Sequence, residues 1–326
     1  MAENRSNGNI IVFVYPSTPL TSSPPSLPSH PVPSGAVYAI LAYGMWGLLP
    51  LYWKLFGSTP AVEVLSHRIL WSTVFLAGLL LVQGKFHEME GVWRSPRQLG
   101  ILLLTATILA GNWGLYIYAV NTDQVIETSL GYYINPLVNV LLGVLFLKER
   151  LNRVQTAAVA LAAIGVGFFI WQIGTPPWIA LTLAVSFGTY GLLRKSAAIA
   201  PTIGLAVETL LITPVAIGLL LYWSATGTTH WGESTPLTLL FIGCGVITSL
   251  PLLCFNTAAK RLRLSTLGFF QYLAPTLQLL LGVFFYQEPF TSTHLITFAL
   301  VWSAIALYVS SSLRPRHPID HKPLSR

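Results

Sequence analysis

Charged side chains are scarce in this sequence. Asp, Glu, Lys and Arg make up 9% of its 326 residues, only 11 residues are acidic, and 53% are apolar. Soluble domains carry about 25% charged residues, because charge keeps their surfaces in water. The composition therefore excludes an ordinary soluble domain and favours a polytopic membrane protein.

Cysteine is rare, and the common catalytic motifs are absent. The two cysteines, Cys244 and Cys254, lie in one apolar stretch, which excludes a disulfide framework and a cysteine-based metal cluster. The segment 87–91 begins like a zinc-protease helix but lacks the second histidine. There is no glycine-rich phosphate loop and no Gly-x-Ser-x-Gly turn. We therefore expect no enzyme activity, no metal, no cofactor and no ATP hydrolysis in this chain.

Long apolar runs, in contrast, are abundant. Runs of about 20 residues are long enough to cross the hydrocarbon core of a bilayer as a helix. Residues 1–35, rich in Pro and Ser, are interpreted as a disordered cytoplasmic tail, and 314–326 as a basic cytoplasmic tail. Between them, an all-α integral membrane protein with ten transmembrane helices is predicted, at residues 36–56, 61–83, 99–120, 126–147, 153–172, 176–194, 201–223, 236–257, 265–286 and 291–312.

The positions of the basic residues predict the orientation of these spans. Of the 18 Lys and Arg residues, all but Lys54 and Arg68 fall in the two tails or in alternate loops, and the other five loops hold none. Cytoplasmic loops carry the excess of Lys and Arg, so both termini are predicted to be cytoplasmic. The net charge of +7 is thereby explained without a nucleic-acid partner.

The two halves of the chain resemble each other. The segment 129–133 in the fourth span matches 266–270 in the ninth, and 136–149 matches 275–288 at half of its positions. Because each half holds five spans, the second half must enter the membrane upside down. Residues 36–174 and 175–313 are thus predicted to form two inverted five-helix repeats. Such repeats are typical of secondary transporters, in which the solute site lies near the midplane between the halves.

The second span begins with three ionisable residues, Glu63, His67 and Arg68. They lie on one half of the helix, whereas apolar residues including Ile69 and Leu76 fill the other half, which is expected to face lipid. Ionisable groups within a bilayer are costly and usually face a partner or a solute path. We therefore interpret Arg68 as a ligand for an anionic group of a solute.

Each of these residues also has a purely structural interpretation. Arg68 would then form an ion pair with Glu63, Glu127 or Glu208. His67 would be a hydrogen-bonded interior histidine, and Glu63 would cap its helix. On the functional interpretation, Glu63, His67 or Glu127 carries a coupling proton.

A polar stripe runs along the fourth span. Glu127, Gly131, Asn135 and Asn139 follow at intervals of four residues, so they share one face of the helix. The ninth span carries Gln271, and both helices contain a proline at the equivalent position. The amides either bind a solute in a cavity or bond neighbouring helices, and both interpretations remain open.

Aromatic and amide side chains deeper in the spans complete the candidate site. Solute pockets are usually lined by apolar and aromatic groups with a few polar ones, although each ring alone could equally pack helices. Trp53 and the other aromatic residues near span ends are interpreted as interfacial anchors. The deeper candidates are Trp46, Trp71, Asn112, Trp113, Tyr116 and Tyr132.

Three motifs within the ten-span layout point to a known family. They are Leu-Gly-Tyr-Tyr-Ile-Asn-Pro-Leu at 130–137, Leu-Lys-Glu-Arg at 147–150 and the pattern of Glu63, His67-Arg68 and Trp71-Ser72. Over about residues 36–312 the chain resembles the RarD-type members of the EamA-like drug/metabolite transporter superfamily. The second copy of the motif at 147–150 is degenerate, because proline follows Glu288. The resemblance implies an inner-membrane permease of a family associated by name with chloramphenicol sensitivity.

We therefore expect a secondary transporter that exports a small metabolite or drug-like solute across the bacterial inner membrane by alternating access. Its partners are the solute, the lipid bilayer and a proton or other coupling ion. The alternative is a non-transporting membrane scaffold or sensor, in which the interior polar residues only hold helices together.

Overall fold

The structure, a computed structural model, describes residues 33–148, 151–197, 199–262 and 270–313. These residues form helices and turns without a strand. Apart from residues 33–35, the predicted tails 1–35 and 314–326 lie outside the described residues, as does the repeat segment 266–269. The helices are α1 (Pro33–Lys54), α2 (Ala61–Val82), α3 (Glu88–Trp93), α4 (Pro96–Asn121), α5 (Val125–Leu147), α6 (Arg153–Ile173), α7 (Trp178–Ala197), α8 (Pro201–Thr226), α9 (Thr235–Arg261), α10 (Leu273–Leu280, extended by a π-helical turn Leu281–Phe285) and α11 (Ser292–Leu313).

Eight of the described helices are long and apolar enough to cross a membrane, and they correspond to eight of the ten predicted spans. The other two predicted spans, 176–194 and 265–286, correspond to the shorter apolar helices Trp178–Arg194 and Leu273–Phe285. The short helix α3 was not predicted and lies in the loop before α4. The all-α fold is confirmed, and the helices agree with ten spans.

Large apolar side chains cover the outside of the bundle. Val82, Trp171 and Leu145 expose 87%, 78% and 70% of their surface, respectively. Soluble proteins rarely expose so many such residues, whereas lipid accommodates them. The predicted lipid-facing half of the second span is wrong, since Ile69 and Leu76 are buried. The reason is that α4, α8 and α9 all pack against α2.

The helix contacts are symmetric between the two halves of the chain. When the five span helices of one half are exchanged in order for those of the other, most of the larger contacts among the described residues have a counterpart, whereas the contact of α2 with α4 has none of similar size between α8 and α9. Contacts of α2 with α8, α5 with α10 and α6 with α11 map onto themselves. The paired contacts are α5–α7 with α10–α1, α4–α7 with α9–α1, and α2–α9 with α8–α4. A pseudo-two-fold relation between repeats produces this pattern, and the repeat boundaries 36–174 and 175–313 stay a prediction.

The bundle has an inner end and an outer end. At the inner end α1 begins and α2 ends at Val82, whereas at the outer end α1 ends at Lys54 and α2 begins at Ala61. The loops predicted to be cytoplasmic belong to the inner end. The orientation of the two ends in the membrane stays a prediction that rests on the basic residues.

Helices α5 and α10 cross where the repeated motifs meet. The Ser129 hydroxyl donates to the carbonyl oxygen of Pro275 at 2.8 Å, and the Tyr133 hydroxyl lies 2.5 Å from Thr276 Oγ1. The Gln278 amide adds a bond of 3.3 Å to the carbonyl oxygen of Trp46 on α1. The proline-bearing segment of α10 therefore lies in the contact between the two halves.

Gly131 allows α5 and α7 to pack closely. A Cβ atom at this position would lie 2.8 Å from the carbonyl oxygen of Ala180 and 3.1 Å from its Cα. Backbone atoms of α7 cannot rotate away as a side chain can, so the contact requires glycine. Small residues serve the same purpose at many helix contacts in membranes.

We predict that Gly131→Ala lowers the free energy of unfolding by about 1–3 kcal/mol, the usual cost of overpacking. The matched control is Gly111→Ala on α4, where a Cβ atom has no neighbour within 4 Å. The control should be neutral or slightly stabilising, because alanine favours helix over glycine. Thermal unfolding of the purified protein in detergent makes the comparison, and equal stabilities would contradict the role of Gly131.

Candidate functional site

Arg68 lies buried inside the bundle without a carboxylate partner. Its side chain is on α2, and the residue is 5% exposed. Its Nε donates to Thr248 Oγ1 on α9 at 3.1 Å, while its Nη1 has no hydrogen-bond partner. Among the described residues no acidic group forms an ion pair with it. The structure therefore does not contain the alternative, a structural ion pair of Arg68 with Glu63, Glu127 or Glu208.

Aromatic rings supply the surroundings of Arg68. The guanidinium carbon lies 4.0 Å from the ring centroid of Trp113 on α4 and 4.9 Å from that of Trp53 on α1. Tyr116 and Tyr132 pack edge to face at 5.9 Å between ring centroids, in the same buried cluster as Trp53. Cation–π contacts stabilise a desolvated cation by about 2 kcal/mol. We call the six residues Arg68, Trp53, Trp113, Tyr116, Tyr132 and Thr248 the arginine site.

Several buried polar atoms in and beside the arginine site have no hydrogen-bond partner. They include Trp53 Nε1, the Tyr116 hydroxyl, and the hydroxyls of Ser72 and Ser249. Ser72 follows Arg68 by one turn of α2, and Ser249 follows Thr248 on α9. More than 90% of buried polar groups in folded proteins are bonded, because an unpaired one costs about 1–3 kcal/mol. Such a concentration of unpaired groups is typical of a site that binds a polar ligand.

A layer that we call the outer cap closes the bundle beyond Arg68. Glu63 is 1% exposed and accepts hydrogen bonds from the backbone N–H of His230 at 2.8 Å and from the Thr229 hydroxyl at 3.1 Å. The His230 ring nitrogen Nδ1 lies 2.6 Å from the same carboxylate. The outer cap consists of Glu63, His67, Trp71, Thr229, His230, Trp231 and Phe241.

Stacked rings fill the outer cap. The His67 ring lies 5.0 Å from Trp231 and 3.9 Å from Phe241, and Trp71 lies 6.1 Å from Trp231, all between ring centroids. Both His67 nitrogens lack a hydrogen-bond partner. The prediction of a hydrogen-bonded interior histidine is therefore half right, since the ring is interior but held by stacking.

Further polar contacts hold the outer end together. Lys54 at the end of α1 pairs with Asp123 in the α4–α5 loop. The Glu288 carboxylate accepts from the backbone N–H groups of Val125 and Ile126, at 2.7 and 2.8 Å, and so caps α5. Burial raises the pKa of Glu288, and the two N–H donors and Lys54 oppose that shift. These contacts join elements of both halves at the outer end.

The inner end contains a cavity of about 280 Å³, which we call the inner cavity. It extends from Leu76 and Ser249 in the middle of α2 and α9 to Asn256 near the inner end of α9. It is lined by Leu76, Tyr190, Arg194, Ile199, Pro201, Thr202, Leu205, Ser249, Leu252, Leu253 and Asn256. The bundle is thus closed by side chains at its outer end and hollow at its inner end.

The predicted amide residues lie against α7 rather than around Arg68. Asn112 donates to the carbonyl oxygen of Leu183 at 3.2 Å and to Ser186 Oγ at 2.9 Å. Asn135 donates to the carbonyl oxygen of Ala184 at 3.0 Å and accepts from Asn139 at 3.1 Å. The geometry therefore favours the helix-bonding interpretation of the stripe, and a role in solute binding stays a prediction.

The remaining candidates are dispersed. Glu127 lies near the backbone N–H groups that begin α7, at Ile179 and Ala180. Trp46 packs against Tyr43 at 5.4 Å and Phe255 at 5.8 Å, in a cluster of its own. Gln271 is half-buried just before α10. The structure therefore brings together Arg68, Trp113, Tyr116 and Tyr132, places Glu63, His67 and Trp71 in the outer cap, and separates Trp46, Asn112, Glu127, Asn135 and Asn139 from both.

The sequence did not predict two members of the arginine site, Trp53 and Thr248, or the outer-cap residue Trp231. Trp53 was predicted to be an interfacial anchor, yet it is fully buried, because α1 ends inside the folded outer end. Thr248 and the cap residue Trp231 gave no signal, since neither a threonine within a span nor a loop tryptophan is distinctive. Thr248 is identified only by its hydrogen bond to Arg68, and Trp231 only by its ring contacts in the outer cap.

A bundle of membrane helices built from two related halves is the architecture of many secondary transporters. The sequence profile described as the EamA-like transporter family matches residues 33–171 and again 176–310. The first match covers five of the long described helices, and the second covers the other three and the two shorter apolar helices. The chain belongs to the EamA-like transporter family, and it is a multi-pass membrane transporter.

Similar proteins support the same assignment. A protein described as an uncharacterized transporter of Vibrio cholerae is 48% identical over 87% of this chain and 94% of its own length. Protein RarD of Escherichia coli K12 is 44% identical over 86% of this chain and 95% of its own length. One crystal structure aligns with 87% of this chain and 100% of its own at a TM-score of 0.57 and 18% identity, which shows a shared fold. The resemblance to the RarD type is confirmed.

We predict that Glu63→Ala loosens the outer cap. The His230 N–H would lose its carboxylate acceptor, and a hydrogen bond to a charged group contributes about 1.5–3 kcal/mol. Amide hydrogen exchange in residues 227–234, measured by mass spectrometry, should rise by roughly 10- to 100-fold if that bond limits opening. Glu233→Ala, which removes an exposed glutamate from the same loop, is the control. Equal exchange in the two variants would show that Glu63 does not hold this loop.

Proposed function

We propose that the chain is a secondary transporter of the bacterial inner membrane, with both termini cytoplasmic. It moves a small metabolite or drug-like solute that carries an anionic group and an apolar part. One observation carries the proposal: Arg68 is buried, and none of the described carboxylates pairs with it. A cation buried in a membrane protein is costly, so its retention without a counter-ion favours a ligand that supplies the negative charge.

The arginine site supplies the chemistry for such a solute. The guanidinium of Arg68 binds the anionic group, with its Nη1 as a free donor. Trp113 and Trp53 hold the cation from its faces, and Tyr116 offers an unpaired hydroxyl. Asn135, Asn139 and Gln271 are further solute ligands only if helix movement releases them from their present positions.

The two ends of the bundle support alternating access. The outer cap blocks the path from Arg68 to the outer end, and the inner cavity extends towards the inner end. With the inner end cytoplasmic, the structure corresponds to an inward-facing state. The proposed direction, export, rests on the resemblance to the RarD type. Transport then requires the outer cap to open while the inner cavity closes, as in other inverted-repeat transporters.

A proton is the coupling ion that the titratable groups favour. Glu63 is the strongest candidate carrier, because protonation of its carboxylate would weaken the bonds that it accepts from Thr229 and His230. His67 lies beside it in the outer cap, with both ring nitrogens unpaired. Glu127 is a further candidate, next to the beginning of α7.

We predict that Arg68→Ala abolishes most transport. The solute is first identified by comparing the metabolites exported by overexpressing and deletion cells, and its flux is then measured in proteoliposomes. Loss of a charge-assisted hydrogen bond should reduce flux by roughly 10- to 100-fold. Arg68→Lys should retain part of it, because lysine keeps the charge but not the planar stacking.

The matched control is Arg94→Ala, since the Arg94 side chain is 81% exposed. It should transport like the parent protein. If Arg68→Ala also matches the parent at every pH, Arg68 has no role in the path. A non-transporting scaffold or sensor would instead show no solute flux in the parent protein.

A further inference from the structure

Arg194 presents a second cation, partly buried, at the inner end. Its side chain, near the end of α7, is 12% exposed, and its Nε lies 3.5 Å from Glu208 Oε1 on α8. Glu208 also accepts hydrogen bonds from the hydroxyls of Thr105 at 2.6 Å and Tyr190 at 3.2 Å. The carboxylate thus has three donors, and it holds the guanidinium by one edge.

The rest of the Arg194 guanidinium is held against the backbone of α8. A Cβ atom on Gly204 would overlap Nη1 and Nη2 of Arg194, so the absence of a side chain at Gly204 leaves room for the guanidinium. Nη1 makes no hydrogen bond. The Nε side of the guanidinium is therefore fixed by Glu208, and Nη1 retains donors without an acceptor.

The inner cavity borders the Arg194 side chain. Among the described residues that line it, Arg194 alone is charged, and Glu208 is not part of the lining. The Ser249 hydroxyl, which also lines the cavity, has no partner and is 1% exposed. Leucines cover much of the remaining wall. The cavity therefore offers donors of positive character together with an apolar surface.

The beginning of α8 adds to the positive character. This helix of 26 residues starts at Pro201, which lines the cavity, and no side chain caps its N-terminus. The unpaired N–H groups of a helix N-terminus favour an anion. Two independent features, the guanidinium and the helix N-terminus, thus favour the same sign of charge.

We propose that the inner cavity is a second anion-binding subsite, in which Arg194 and Ser249 bind the carboxylate or phosphate group of an amphipathic molecule. Glu208 is the positioning residue that orients Arg194. The apolar part of the molecule packs on Leu76, Leu205 and Leu252. Leu76 follows Arg68 by eight residues, about 12 Å along α2 at 1.5 Å per residue. If the chain exports an anionic solute, as proposed above, this subsite binds the solute before it reaches Arg68.

The experiment measures the sign of the electrostatic potential in the cavity. Cys244→Ala and Cys254→Ala remove both cysteines, and Asn256→Cys places one thiol in the lining. The thiol is labelled with anionic methanethiosulfonate ethylsulfonate and with cationic methanethiosulfonate ethyltrimethylammonium, and the ratio of the two rates is determined. The ratio of the anionic to the cationic rate should be higher at position 256 than it is for free cysteine in solution.

Charge variants assign the effect to Arg194. Arg194→Gln should lower the ratio of the anionic to the cationic rate by roughly 200-fold, because one unit charge about 10 Å away, at an effective dielectric constant near 20, changes the two rates by about 15-fold each in opposite directions. Arg194→Lys should retain the ratio, and Glu208→Gln should raise it by removing the neutralising charge. Arg94→Gln, which removes an exposed arginine elsewhere, should leave the ratio unchanged.

The source of the anion is tested in nanodiscs of phosphatidylcholine with and without phosphatidylglycerol. If a lipid headgroup occupies the subsite, phosphatidylglycerol lowers the ratio in the parent protein but not in Arg194→Gln. If a small solute is the ligand, phosphatidylglycerol changes the ratio equally in the parent protein and in Arg194→Gln.

Two results overturn the subsite: a thiol at 256 that neither reagent labels, and a ratio that Arg194→Gln leaves unchanged. Failure of the transport proposal is separate, because it would appear as unaltered flux in Arg68→Ala while the labelling ratio still depended on Arg194.

Discussion

The buried charge of Arg68 is the constraint on which the rest of this structure depends. A guanidinium inside a bundle of membrane helices must be stabilised by its surroundings, because lipid offers it no water. Two tryptophan faces and one threonine hydroxyl provide part of that stabilisation. They come from α1, α4 and α9, so the cation draws together helices from both halves. None of the described carboxylates pairs with this cation, and the proposed anion site rests on that observation.

The polar side chains of the interior are divided between two tasks. Those on α5 that face α7, together with Asn112, use their amides to bond helix backbones across the contact between the halves. Those around Arg68 leave donors and hydroxyls unpaired. Hydrogen bonds that are satisfied within the protein stabilise one arrangement of helices, whereas unpaired groups are available to a ligand. The two groups of side chains differ in whether they have hydrogen-bond partners within the protein, not in residue type.

The two ends of the bundle also differ in how their polar groups are paired. At the outer end the acidic groups Glu63, Glu288 and Asp123 all bind donors from other elements. At the inner end Arg194 pairs with Glu208 and also lines a cavity. A transporter that alternates between two states needs contacts at each end that can break in turn. Polar contacts suit this task, because their partners can be exchanged for water or solute.

The sequence by itself determined the class of the protein. Apolar runs set the helices, because every backbone group must be bonded within a bilayer, and the lone Arg68 stood out because charge is rare there. Tertiary structure alone decided which residues serve that cation. Periodicity places Asn135 and Trp113 on helix faces but does not say which helix each face meets. Thr248 lies 180 residues from Arg68 along the chain, and Trp53 lies on the preceding helix. Only the packing of α9 on α2 and of α1 on α9 brings both residues to Arg68.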